Sequence, residues 1–130
     1  MKRAAAVLGV VLLAGCGGTS TSGSGSTGQP HAACVTDIAA ALQLIHDANQ
    51  GLQEQTLTEA DGLAKLASAQ KKLTTAAGTT TGAVHDAVAA EADNVGRYRV
   101  ALDTNTVTTS SYRTMIDGTS TVADACKTSG

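Results

Sequence analysis

Residues 34–53 read CVTDIAAALQLIHDANQGLQ, and this stretch decides the fold. Val35, Ile38, Leu42, Ile45, Asn49 and Leu52 recur at alternating steps of three and four. That spacing lays one stripe along an α-helix, and Asn49 is its single polar interruption. Ala39 to Ala41 add helix propensity. Gly51, followed by the polar Gln53, Glu54 and Gln55, marks the expected end.

The same period returns three times downstream. Thr58-Glu59-Ala60-Asp61 is a weak capping box, and Leu63, Leu66, Gln70, Leu73 and Ala77 form the second stripe, stopped by Gly78. Thr79 to Thr81 offer an N-cap hydroxyl for a third helix, whose stripe is Val84, Val88, Glu91/Ala92, Val95, Tyr98 and Leu102. Asp103-Thr104-Asn105 signals a turn. The fourth stripe is Tyr112, Met115 with Ile116, Thr119, Val122 and Cys126, preceded by a β-branched and Ser-rich start over 107–111. Four helices of about 20 residues with short loops predict an all-α domain over residues 31–130, an up-down-up-down antiparallel four-helix bundle. Leu, Ile and Val total only 18 of residues 16–130, so the core is thin.

Composition excludes several functions. The chain has 130 residues, room for one domain. A formal charge of -2 argues against electrostatic nucleic-acid binding, and two Tyr with no Phe or Trp leave little surface for stacking bases or sugars.

Lys2 and Arg3 precede an apolar run from Ala4 to Leu13, too short to span a bilayer as a helix. The run ends in Leu13-Ala14-Gly15-Cys16, which resembles the lipobox of bacterial lipoproteins. The resemblance implies that residues 1–15 are a signal peptide, removed in the mature chain. It also implies that Cys16 carries a diacylglyceryl thioether, with a third acyl chain, such as palmitate, often added to the new amino terminus. Several buried acyl chains would hold the protein at the extracytoplasmic face of a cell membrane. Loss of Lys2 and Arg3 leaves seven basic against eleven acidic residues, a net charge of -4, so the lipid rather than a basic patch supplies attachment. Residues 17–30, GGTSTSGSGSTGQP, read as a flexible tether, which also takes in His31.

With Cys16 assigned to lipid, Cys34 and Cys126 remain as an even pair in an oxidising compartment. One begins the first helix and the other ends the fourth, which lie at the same end of an up-down-up-down bundle. A disulfide between them is expected. In that register Ile38 meets Val122, Leu44 meets Ile116 and Ala48 meets Tyr112. The third turn places Tyr98 level with Tyr112, and the first brings Asn49 to similar height. These three residues predict either a hydrogen-bonded layer that fixes register or a small polar pocket.

No further motif carries chemistry. His46-Asp47 and His85-Asp86 are adjacent pairs that diverge by about 100° on a helix, so neither chelates a metal alone. Arg97, Arg99 and Arg113 have Asp93, Asp103 and Asp117 four residues away, which favours ion pairs along the helix over an anion-binding patch. No cofactor, metal set or acid–base pair is indicated. The sequence points to a non-catalytic, lipid-anchored helical module that binds or scaffolds another envelope component. The alternative is a small-ligand carrier with a pocket near Asn49, Tyr98 and Tyr112.

Overall fold

The computed structural model describes residues 31–129. The expected signal peptide over residues 1–15, the expected lipidation site Cys16 and the expected tether to residue 30 lie outside the described residues. Every element among the described residues is helical. A π-helical turn, Cys34–Ile38, runs straight into α1, Ala39–Gln53, and α2 spans Glu59–Ala77, α3 Gly82–Asp103 and α4 Thr109–Ser129. No described helix is long and apolar enough to cross a membrane. His31 belongs to the opening helical turn rather than to the tether.

The loop chemistry explains where the helices stop. After α1, Gln55 takes φ 59°, its N–H reaches the Leu52 carbonyl, and the Thr56 N–H reaches the Gly51 carbonyl at 2.9 Å. After α3, Asn105 takes φ 56°, with the same bonds to Leu102 and, at 2.7 Å, to Ala101. Both ends are Schellman motifs, which satisfy the last carbonyls of a helix through one left-handed residue. The helices that follow also start alike. The Asp61 N–H donates to the Thr58 hydroxyl, and the Ser111 N–H to the Thr108 hydroxyl, while the Ser111 hydroxyl accepts from the Thr108 N–H. Residues 51–61 and 101–111 are thus one structural device used twice, fifty positions apart.

The middle loop differs. The hydroxyls of Thr79 and Thr80 donate backward to the Ala76 carbonyl, so they close α2. Thr81 stands at the N-cap of α3 without a side-chain bond, against the expectation of a capping hydroxyl there.

Consecutive helices pack on one another, whereas α1 and α4 make little backbone contact. The core is built from Ile38, Ala41, Ile45 and Ala48 on the first helix, Leu66, Ala69, Leu73 and Ala76 on α2, Val84, Val88, Val95 and Tyr98 on α3, and Met115 and Val122 on α4. Two expected stripes shift. Val35 is 61% exposed, because the π turn inserts an extra residue per turn and swings the seam on to Ile38. On α2 the buried line is Gly62, Leu66, Ala69, Leu73 and Ala76, and Leu63, Gln70 and Ala77 are only half-buried. Small residues let the helix backbones approach, so the seam follows Gly and Ala rather than the bulkier neighbour.

The disulfide forms as the sequence predicts. Cys34 and Cys126 are bonded, with Cα atoms 5.7 Å apart, closing a separation of 92 residues. A link over a loop of that length contributes about 4 kcal/mol by chain entropy. It ties the start of the first helix to the end of α4, where the helices themselves touch little.

Candidate functional site

Asn49 sits on the last turns of α1 and is 7% exposed, yet neither its Oδ1 nor its Nδ2 has a hydrogen-bond partner among the described residues. An amide buried without partners is costly, and each such group calls for an explanation. Above it opens a cleft of about 470 Å³. Its walls come from the end of α1 (Asn49, Leu52, Gln53), the end of α3 (Tyr98, Leu102), the loop residue Val107 and the first turn of α4 (Thr109, Tyr112). Glu59, at the start of α2, is the one charged residue in that lining.

Two tyrosines define the cleft. The rings of Tyr98 and Tyr112 lie 6.0 Å apart, tilted at 56°, as the turn register implied. Burial, and after it the neighbouring Tyr112, hold the Tyr98 hydroxyl above the usual tyrosine range. The Gln53 amide donates to the Tyr112 hydroxyl at 2.9 Å, which straps the end of α1 to α4. The expected triad of Asn49, Tyr98 and Tyr112 therefore shares one cleft but does not form a hydrogen-bonded layer: Gln53 takes the place at Tyr112 that Asn49 was expected to fill.

On the far side of this strap a second opening of about 530 Å³ runs along the parted α1–α4 seam. Asn49, Gln53 and Tyr112 line both spaces, and Ile45, Ile116 and Ala123 extend the apolar wall of the groove. The cleft and the groove are therefore two mouths that share Asn49, Gln53 and Tyr112 in their walls.

The arginines separate. Arg97 pairs with Asp93 at 2.8 Å, at the exposed surface. Arg99 turns to α2 and donates to Gln70 at 2.6 Å. Arg97 and Arg99 line a shallow cleft between α2 and α3, of which Arg113 is not part. Of the three expected helix-face ion pairs only that of Arg97 is present among the described residues. Among the described residues no group of three or more His, Cys, Asp and Glu side chains is placed to hold a metal ion. His46 is exposed, and a ring nitrogen of His85 lies 2.8 Å from the Ala77 carbonyl, tying α3 to the end of α2.

The sequence pattern puts Glu91 on the core stripe and assigns it no role. The structure buries it completely, with one carboxylate oxygen accepting from Asn94 at 3.1 Å and the other unpartnered. Desolvation raises its pKa from 4.5 to about 8, against which the Asn94 bond works weakly. A Cβ at Gly118 of α4 would collide with this carboxyl group, so glycine is needed for α4 to close over it. The signal for this lay in the pattern itself, a Glu at a stripe position opposite a helical Gly.

Compared with protein-family models, with curated proteins and with solved structures, the chain finds no match.

Proposed function

We propose that this protein is a lipid-anchored module on the extracytoplasmic face of a cell membrane, one that binds a small envelope molecule in the Asn49 cleft without catalysis. The single observation that carries the binding reading is the Asn49 amide, buried and unpartnered beneath an open cleft. Polar groups that face a space unmet are what a ligand completes. The cleft favours this reading over scaffolding of another envelope protein. The exposed large hydrophobics, Val35, Val100 and Val107, lie on three separate elements and offer no shared docking face among the described residues.

The fold within this proposal is an up-down-up-down antiparallel bundle. Contacts that descend along one helix as they ascend the next support it: Ala77 with His85 and Gln70 with Arg99 between α2 and α3, and Tyr98 with Tyr112 between α3 and α4. The lipid anchor rests on Leu13-Ala14-Gly15-Cys16. Its test is incorporation of labelled palmitate into the full chain, expected for the unaltered sequence and lost in Cys16→Ser. The binding reading is tested by native mass spectrometry of chain extracted from envelopes. A retained small mass, displaced when Asn49 is changed to Leu, is the expected result. Release of bare protein, with crosslinks to one dominant protein partner instead, would replace the carrier with the scaffold.

A further inference from the structure

The chemistry around Asn49 restricts what the cleft can hold. A carboxamide offers one acceptor and two donors in a single plane. Both functional ends of Asn49 are unmet, so a ligand that supplies only an acceptor, or only a donor, leaves half of the cost in place. A group carrying both on one edge, as the syn N–H and C=O of a primary carboxamide or a lactam do, satisfies the amide at once, whereas a trans peptide bond turns its N–H and C=O to opposite sides. The charge of the lining narrows the class further. Glu59 is its one charged residue, so an anion meets repulsion and no counterion. The walls beside Asn49 are apolar, through Leu52, Leu102 and Val107, and the two tyrosine rings bound the remaining side. A volume of about 470 Å³ admits a group of modest size, and the second mouth lets a substituent continue along the α1–α4 seam.

We infer that the cleft recognises an uncharged primary carboxamide or lactam flanked by a short apolar arm, through a two-point hydrogen bond to Asn49. This rests on the binding reading above and names the ligand class for that same cleft. Asn49 turns its buried amide to the incoming group, whose N–H donates to Oδ1 and whose C=O accepts from Nδ2. The arm lies between Leu52 and Leu102. Tyr98 stays within reach of any second polar atom, and the Gln53–Tyr112 strap sets the width of the passage toward the groove.

The molecule provides its own probe. Tyr98 and Tyr112 are the only Phe, Tyr or Trp residues in the chain, and both line the cleft, so the intrinsic tyrosine emission reports on this site alone. The full chain is titrated with 3-methylbutanamide, with methyl 3-methylbutanoate and with 3-methylbutanoate. The expected result is a saturable change in tyrosine emission with the amide, and binding at least tenfold weaker for the ester, which lacks the N–H, and for the acid, which is charged. Asn49→Leu should lose amide binding at least tenfold while melting no lower than the unaltered chain, because it removes a buried group that has no partner. Equal binding of amide and ester, tighter binding of the acid, or an unchanged amide affinity in Asn49→Leu would overturn the inference. So would the lack of any response to 3-methylbutanamide. The amide and ester arms use the unaltered protein, so the outcome does not depend on how the variant folds. A failure of this kind leaves the retained-mass experiment untouched. A bare protein in that experiment removes the binding reading itself.

Discussion

The two helix pairs, α1–α2 and α3–α4, are cut to the same pattern and packed differently. Their loops share the Schellman ending and the threonine N-cap at matched positions fifty residues apart. Their first helices bury matched positions too: Ile38, Ala41, Ile45 and Ala48 correspond to Val88, Glu91, Val95 and Tyr98. The second helices diverge. The line buried on α2, Gly62, Leu66, Ala69, Leu73 and Ala76, matches Tyr112, Ile116, Thr119, Ala123 and Cys126 on α4, and all five of these are half-buried. Helix α4 instead buries Met115 and Val122, a face about 100° away. Helix α2 buries its line of Gly, Ala and Leu against its neighbours. Helix α4 leaves the equivalent face along the α1–α4 groove, and the cleft opens at the end of that groove. Local capping therefore sets helix length and turn, while the choice of buried face on each second helix decides where a seam stays open.

The contrast between the pairs is open to test, first at the covalent tie that joins them. Cys34→Ala with Cys126→Ala should cost about 4 kcal/mol in chemical denaturation, because α1 and α4 have little else to hold them. An unchanged stability in the double variant would mean that the parted seam is closed by contacts rather than by sulfur.

Next comes Glu91, the matched partner of Ala41. Its folded pKa of about 8 lies above the ordinary 4.5, so the native state holds a proton that the unfolded chain releases between those values. Stability is then full below about pH 4.5 and falls as pH rises to about 8, by at most about 1.4 kcal/mol per pH unit. Glu91→Gln should flatten this profile and raise stability near pH 7 by up to about 3 kcal/mol. Thermal melts across pH 4 to pH 9 read both effects.

Two truncations probe the difference between α2 and α4. Leu66→Ala, at a fully buried site, should cost about 3 kcal/mol, whereas Ile116→Ala, at the matched half-buried site beside the groove, should cost about 1 kcal/mol. Equal losses in urea unfolding would show that the groove is closed in solution. A weaker response is expected at the paired left-handed residues. Gln55→Gly should stabilise by about 0.5–1 kcal/mol, and Asn105→Gly by less, since Asn tolerates that conformation better than Gln.

Much of this was legible in the sequence. The stripe of α3, the places of Ile38, Ile45 and Asn49 on the first stripe, the ends near Gln53 and Asp103, the cap at Thr58 and the pairing of Cys34 with Cys126 follow from periodicity, turn chemistry and cysteine count. The meeting of Tyr98 and Tyr112 in one cleft with Asn49 followed from loop lengths. Other features depend on three-dimensional competition that a periodic pattern does not encode. Val35 leaves the core because of a π turn, a one-residue change in winding with no compositional mark. The buried line of α2 falls on Gly62 and Ala69 because close backbone approach outweighs the larger side chains beside them. Arg99 deserts its expected partner Asp103 because Gln70 on the neighbouring helix is within reach. Asn49 stays unbonded while Gln53 donates to Tyr112, a pairing that the stripe pattern does not mark.

The position of the disulfide has a mechanical consequence. Cys34 and Asn49 are separated by about 22 Å of helix, so the crosslink and the cleft occupy opposite ends of the first helix. A pull transmitted along the chain to residue 34 divides at the sulfur bridge, part travelling through α1 and part through α4. Neither helix peels away under traction without dragging its neighbour, and a load hung on the cleft is shared between two struts.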